Sequence, residues 1–147
     1  MQKCDSGKIV CIVLFNFLLV TIAVNTAYVC CMIRIYGIKN CDTMQKAFKW
    51  LDANNETYHF HNYKTEGIDK ATIDQWLKVL PLEKVINSKG TTYRNLEEAD
   101  KEALKNKKKA IAVLIANPSV IKRPIWDLGN DVFFAGWDEQ ALSVLLS

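Results

Sequence analysis

The chain has 147 residues, enough for one domain with a core of its own. Half of the residues are hydrophobic and 24% are charged, which excludes a disordered chain. A net charge of +3, with no acidic or basic tail, gives no reason to expect a nucleic-acid ligand.

Residues 1–31 differ from the rest. Lys3 and Lys8 precede an uncharged run from Ile9 to Val24, and the next charge is Arg34. Three readings stay open. The segment reads as a secretory signal, although Asn25-Thr26-Ala27 makes a poor cleavage site. It reads equally as an anchor, since Ile9 to Met32 is long enough for a bilayer core of ~30 Å. It also reads as translated upstream sequence, with Met32 as the true start. The domain proper is expected over 32–147. Cys4, Cys11, Cys30 and Cys31 lie upstream of Met32, and Cys41 stands alone beyond it. A lone cysteine has no internal disulfide partner. The body of the chain is therefore expected in a reducing, cytoplasmic setting, membrane-bound only if residues 9–31 are an anchor.

Ile33-Arg34-Ile35-Tyr36 alternates and reads as a strand that Gly37 ends. Cys41 follows after a tight loop, then Asp42 and Thr43, good first-turn residues. Met44, Ala47, Phe48 and Leu51 repeat at helical spacing. This puts the Cys41 sulfur at a helix start, with Lys39 and Lys46 near in sequence. Unpaired N–H groups and the helix dipole favour negative charge there. Because the thiolate is the nucleophile, the position predicts a reactive cysteine rather than a buried, inert one. No CxxC is present: the sequence reads Cys41-Asp42-Thr43-Met44.

Tyr58 to Tyr63 reads as a second strand, and the helical crossover before it favours parallel pairing. His59 and His61 share one face of that strand. Without a second pair of ligands they are read as polar-face packing, and no metal site is expected. Asp69 is a good N-cap for a helix with Ile73, Trp76, Leu77 and Leu80 on its apolar face, stopped by Pro81. Asn87 to Arg94 is a polar loop rich in donors. Leu96 to Asn106 reads as a charged amphipathic helix, with Lys105 to Lys109 as its solvated end. Ala110 to Ala116 reads as a buried helix stopped at Asn117-Pro118. Val120 to Leu128 enters a strand whose first residue follows Pro124, Gly129-Asn130 reads as a two-residue hairpin turn, and Asp131 to Ala135 as the returning strand. Asp138 caps a last helix with Ala141, Leu142, Leu145 and Leu146 as its apolar face. The order predicts an α/β domain: a thioredoxin-like four-stranded mixed sheet with a helical insertion.

Ile35 to Thr43, the loop Ser88 to Arg94, and Ile121 to Ile125 together resemble the arsenate reductase (ArsC) family of the glutaredoxin-linked type. Within it the likeness is to the small ArsC-like, Spx and YffB-type reductases. Three separated motifs in order carry the resemblance, which spans Met32 to Leu146. It implies an oxidoreductase with Cys41 as nucleophile, flanked by Asn40 and Thr43. It implies Arg123 before a cis Pro124, and Lys89 in the place of a central-loop arginine, with Arg94 five residues on. It implies no bound cofactor, glutathione as co-substrate, and glutathione or a glutaredoxin as partner. The implied substrate is a small anion or a disulfide. Two departures weigh against arsenate. Lys89 lacks the planar fork that grips an oxyanion, and the family's late arginine has no counterpart in Phe134-Ala135-Gly136-Trp137. The expected function is a glutathione-dependent thiol reductase, with arsenate as a further substrate to test. The family also includes Spx-type regulators that bind RNA polymerase. Their CxxC switch is absent here, where Met44 stands, so a redox-insensitive binding role is the alternative.

Overall fold

The computed structural model describes residues 32–146, so the readings of residues 1–31 lie outside the described residues. Strand β1 (Ile33–Gly37) is followed by helix α1 (Asp42–Ala53) and strand β2 (Tyr58–Asn62). Next come α2 (Tyr63–Glu66), α3 (Lys70–Val79), α4 (Leu82–Val85), α5 (Thr91–Arg94), α6 (Glu98–Ala103) and α7 (Lys107–Ala116). A 3₁₀ turn (Pro118–Val120) leads to β3 (Ile125–Asp127), β4 (Phe133–Ala135) and α8 (Glu139–Leu145). The strands lie side by side in the order β2-β1-β3-β4. β2 runs parallel to β1, as a crossover through α1 demands, while β3 is antiparallel to β1 and β4 to β3. This is the thioredoxin-like mixed sheet with a helical insertion that the sequence predicts.

Side chains alternate across a strand, so the two central strands feed two cores. Ile33 and Ile35 of β1 and Trp126 of β3 pack with Met44, Ala47 and Leu51 of α1 and Leu142 of α8. Tyr36 and Ile125 face the other way, toward Tyr63, Ile73, Trp76, Val85 and Leu114 of the insertion. Trp76 and Trp126 are both fully buried, one in each core. His61 joins β2 to the insertion: its ring lies 5.1 Å from that of Tyr36, and Nε2 is 2.7 Å from the Gly67 carbonyl. A carbonyl only accepts, so Nε2 carries the proton. Polar packing is what this histidine does, and His59 is exposed.

Several boundaries differ from the sequence reading, each for a local reason. Gly37 belongs to β1 as its last residue rather than breaking the run before it. It pairs with Asn62, and its missing Cβ leaves the space that the Met44 sulfur fills. β2 stops at Asn62, whose side chain accepts the Lys64 amide and opens α2, taking Tyr63 out of the strand. The polar loop ends in the short α5, and the expected helix over Leu96 to Asn106 is only Glu98–Ala103. Asn106 accepts the amides of Lys108 and Lys109, so Lys107 to Lys109 open α7 rather than finish α6. β3 begins at Ile125, directly after Pro124 as the sequence leads one to expect, and before it Ile121 makes only an isolated bridge to Ile86. The hairpin turn is longer than two residues: the Leu128 amide donates to the Val132 carbonyl across Gly129, Asn130 and Asp131. All three adopt positive φ, and β4 starts at Phe133. On α8 only Leu142 is buried, and Leu145 is 44% exposed. Among the described residues, no helix is long and apolar enough to cross a membrane.

Candidate active site

β1 delivers the chain to the loop that carries Cys41. The Cys41 amide donates to the Lys39 carbonyl at 3.1 Å, and the Gln45 side chain donates to the same oxygen at 3.0 Å. Cys41 then takes the N-cap position of α1 with extended backbone, φ −146° and ψ 131°. Its carbonyl accepts the Gln45 amide at 3.0 Å, closing the first turn. This cap differs from the others on long helices. Asp69, Asn106 and Asp138 each accept a first-turn amide of α3, α7 and α8, but among the described residues no side chain does so for α1. The first-turn N–H groups of α1 are therefore left for negative charge on the Cys41 sulfur or on a group it attacks. Cys41 is half-buried, packed like Trp137 against the α1 core. Asn40 beside it is exposed and Thr43 is half-buried on the first turn. Met44, where a CxxC has its second sulfur, is fully buried under Gly37.

The second half of the site comes from β3. Antiparallel pairing sets Ile125 against Tyr36. One further step of that register puts Pro124 opposite Gly37, at the sheet end from which the Cys41 loop leaves. The Arg123–Pro124 bond is cis, as the resemblance implies. Pro124 is buried, and its carbonyl accepts the Gly136 amide at 2.7 Å, holding the end of β4 to the same place. Asp127, the acid nearest in sequence that would neutralise Arg123, is engaged elsewhere. It pairs with Arg34 at 3.7 Å and accepts the Gly129 amide at 3.0 Å. Arg123 is half-buried and makes no ion pair among the described residues.

Lys89 and Arg94 are exposed, and Arg94 Nη2 donates to the Lys89 carbonyl at 2.7 Å, which closes their segment on itself. That segment is tied to the approach to Arg123. The Asn87 amide donates to the Val120 carbonyl at 2.8 Å, and the Lys122 amide to the Val85 carbonyl at 2.7 Å. The structure thus gathers Cys41, Arg123 and Pro124 at one end of the sheet. Lys89 and Arg94 stand beside that end; among the described residues neither bonds to Cys41 or Arg123.

Two residues at this end escaped the sequence reading. Gly136 has φ 101°, and the Lys122 Cε lies 3.2 Å from where a Cβ would stand on it. A second cation therefore lies over the end of β4, close to the stretch that lacks the family's late arginine. Tyr63 follows Asn62, the partner of Gly37, and is buried with its hydroxyl unpaired among the described residues. Burial pushes its phenol well above the ordinary range, and the positive charge of Arg123 pulls the other way. Tyr63 lies in no motif, and Lys122, although inside Ile121 to Ile125, carries no role that the resemblance implies. Only the register of the sheet brings them to the site.

The geometry agrees with the comparisons. The ArsC family model matches residues 36–142. The solved structure of the YFFB protein is 41% identical, with a TM-score of 0.74, over 79% of this chain and 100% of its own. An arsenate reductase (ArsC) related protein from Brucella melitensis is 37% identical, with a TM-score of 0.61, over 78% of this chain and 94% of its own. An uncharacterized protein of Haemophilus influenzae is 44% identical over 94 residues, covering 64% of this chain and 82% of that protein.

Proposed function

The chain belongs to the ArsC family, a thiol reductase-like family, and we propose on that premise that it is a glutathione-dependent reductase working through Cys41 alone. The observation that carries the proposal is the placement of Cys41 at the uncapped start of α1, at the sheet end that also holds Arg123–Pro124. A nucleophile needs its negative charge supported, and an anionic co-substrate needs a cation within reach of the sulfur. Glutathione carries two carboxylates, which suit Arg123, Lys122 and Lys89.

In the proposed cycle the Cys41 thiolate attacks the glutathione sulfur of a mixed disulfide. The S–S bond breaks, the other thiol leaves as a thiolate and takes a proton from water, and Cys41 is left disulfide-bonded to glutathione. A second glutathione thiolate attacks that adduct, so glutathione disulfide leaves and the Cys41 thiolate returns. The net change is a mixed disulfide plus one glutathione going to the free thiol plus glutathione disulfide, the incoming glutathione sulfur being oxidised to the disulfide level as the released sulfur is reduced to the thiol level. No resolving cysteine is needed, which matches the buried Met44 in its place.

The Brucella melitensis relative is described as arsenate reductase related, so arsenate belongs in the same experiment. The test is a coupled assay on the purified chain, offering a glutathione mixed disulfide and arsenate side by side. Turnover of the disulfide that disappears in Cys41→Ser is the expected result. No turnover of either substrate by the folded protein, with glutathione or a glutaredoxin supplied, would overturn the reductase reading in favour of a binding protein of the Spx type.

A further inference from the structure

A second surface lies outside the residues of the Cys41 end. α3 and α7 pack against each other, joined where Lys107 Nζ donates to the Leu77 carbonyl at 2.9 Å. Between them runs a groove of about 400 Å³ lined by Asp74, Leu77, Lys78, Lys107, Lys108 and Ile111. Leu77 and Ile111 form its floor, and Ile115, one helical turn after Ile111, is an exposed apolar side chain.

The charges around this groove are mostly positive: Lys78, Lys107 and Lys108 border it, and Asp74 is the one acid in its lining. Lys70, Lys101 and Lys105 each pair with an acid on their own stretch of chain, Asp74, Glu98 and Glu102. Among the described residues, Lys78, Lys107 and Lys108 have no carboxylate partner. Lys107 to Lys109 also occupy the first turn of α7, which has no acid in it, where the helix dipole disfavours positive charge. Lys107 is held there by its bond to the Leu77 carbonyl, whereas Lys108 and Lys109 are exposed. An apolar floor between unpaired cations is what an amphipathic helix with acidic flanks recognises.

We propose that the α3–α7 groove docks an acidic amphipathic helix of a partner protein, its apolar residues on Leu77, Ile111 and Ile115 and its carboxylates on Lys78, Lys107 and Lys108. A nucleic acid fits less well, because the lining holds no arginine and no aromatic ring for phosphate forks or base stacking. A second copy of the chain would bring the same lysines into apposition.

The probe is a fluorescent helical peptide of about 14 residues, leucines at i, i+4 and i+7 and glutamates flanking them, followed by anisotropy in ~0.15 M salt. Saturable binding is expected, weakened at least about tenfold in the same peptide with glutamine for glutamate. The same loss is expected in the Lys78→Glu, Lys108→Glu double variant, both side chains being exposed, and in Ile115→Ser. Melting curves check that the variants fold, and the glutamine peptide tests the charge requirement on the unaltered protein. Absence of saturable binding, equal binding of the glutamine peptide, or binding indifferent to both variants would overturn the proposal. So would tighter, variant-sensitive binding of duplex RNA or of anionic phospholipid vesicles.

Discussion

The two faces of the sheet are covered in different ways. One carries α1 and α8 over a single cluster centred on Met44, Leu51 and Trp126. The other carries α2 to α7, of which α2, α4, α5 and α6 are no longer than six residues. A twelve-residue helix with an apolar stripe is specified by its own sequence. A single turn has no stability in isolation and persists only because its neighbours hold it. The candidate site draws on both faces: Cys41 starts the helix of the first, Tyr63 and the Lys89–Arg94 segment belong to the second, and Arg123–Pro124 leads into the strand between.

The strongest way to sharpen this division is at Arg123. If it holds the anionic part of the co-substrate, Arg123→Ala removes a charge-assisted contact of about 1.5–3 kcal/mol, or about 10- to 150-fold in kcat/KM. The melting temperature should barely move, since Arg123 makes no ion pair among the described residues. Kinetics and melting on the same preparation decide it. Unchanged kcat/KM toward every disulfide tried would remove Arg123 from the site.

The buried tryptophans compare the faces directly. Trp126 Nε1 donates to the Gly136 carbonyl at 2.9 Å, whereas Trp76 Nε1 is buried without a partner among the described residues. Trp126→Phe leaves a buried acceptor unsatisfied, while Trp76→Phe removes a donor that already lacks one. Trp126→Phe should therefore be the more destabilising by about 1–3 kcal/mol in urea unfolding. Equal costs, or the reverse order, would break the contrast.

The same difference decides what could be read from the sequence. α1 and α3 were legible because their apolar positions recur over three turns and because Asp69 and Cys41 sit where caps belong. α5 and α2 were not, since four residues show no period. The start of α7 was misplaced because a lysine run looks like a solvated end, and Asn106 is recognised as a cap only once its bonds are seen. Cys41 was legible as a candidate from its local pattern. Arg123 and Pro124 were legible through resemblance to a family and through the proline at a strand's start, but the register that brings them to Gly37 is not written locally. Lys122 lies inside a motif but has no implied role in it, and Tyr63 had no signal as a site residue.

Gly37 and Met44 couple the centre of the sheet to the first face. A Cβ on Gly37 would overlap the Met44 sulfur. Gly37→Ala should destabilise the parent, and much less so in a Met44→Ala background, where the methyl group has room. The expected coupling is about 1 kcal/mol, measured as a double-mutant cycle in denaturant. Additive costs would show that Met44 moves aside freely.

The smallest effect concerns the second face and the start of α3. Asp69 Oδ1 accepts the Thr72 amide at 2.7 Å. That backbone bond, with the Thr72 side chain adding to it, holds the Asp69 carboxyl below its ordinary range. A lowered folded pKa means that the unfolded chain binds the proton more tightly. The cap therefore contributes fully above the ordinary carboxylate pKa of ~3.9, and that contribution is lost as pH falls through the lower, folded value. Asparagine caps about as well and does not titrate. In urea unfolding between about pH 6 and pH 3, the parent should lose stability on acidification faster than Asp69→Asn, so any advantage it holds at pH 6 shrinks or reverses. Parallel curves across that range would mean that the carboxylate adds nothing to this cap beyond what an uncharged acceptor provides. α1 would then differ from α3 only in having a sulfur where α3 has an oxygen.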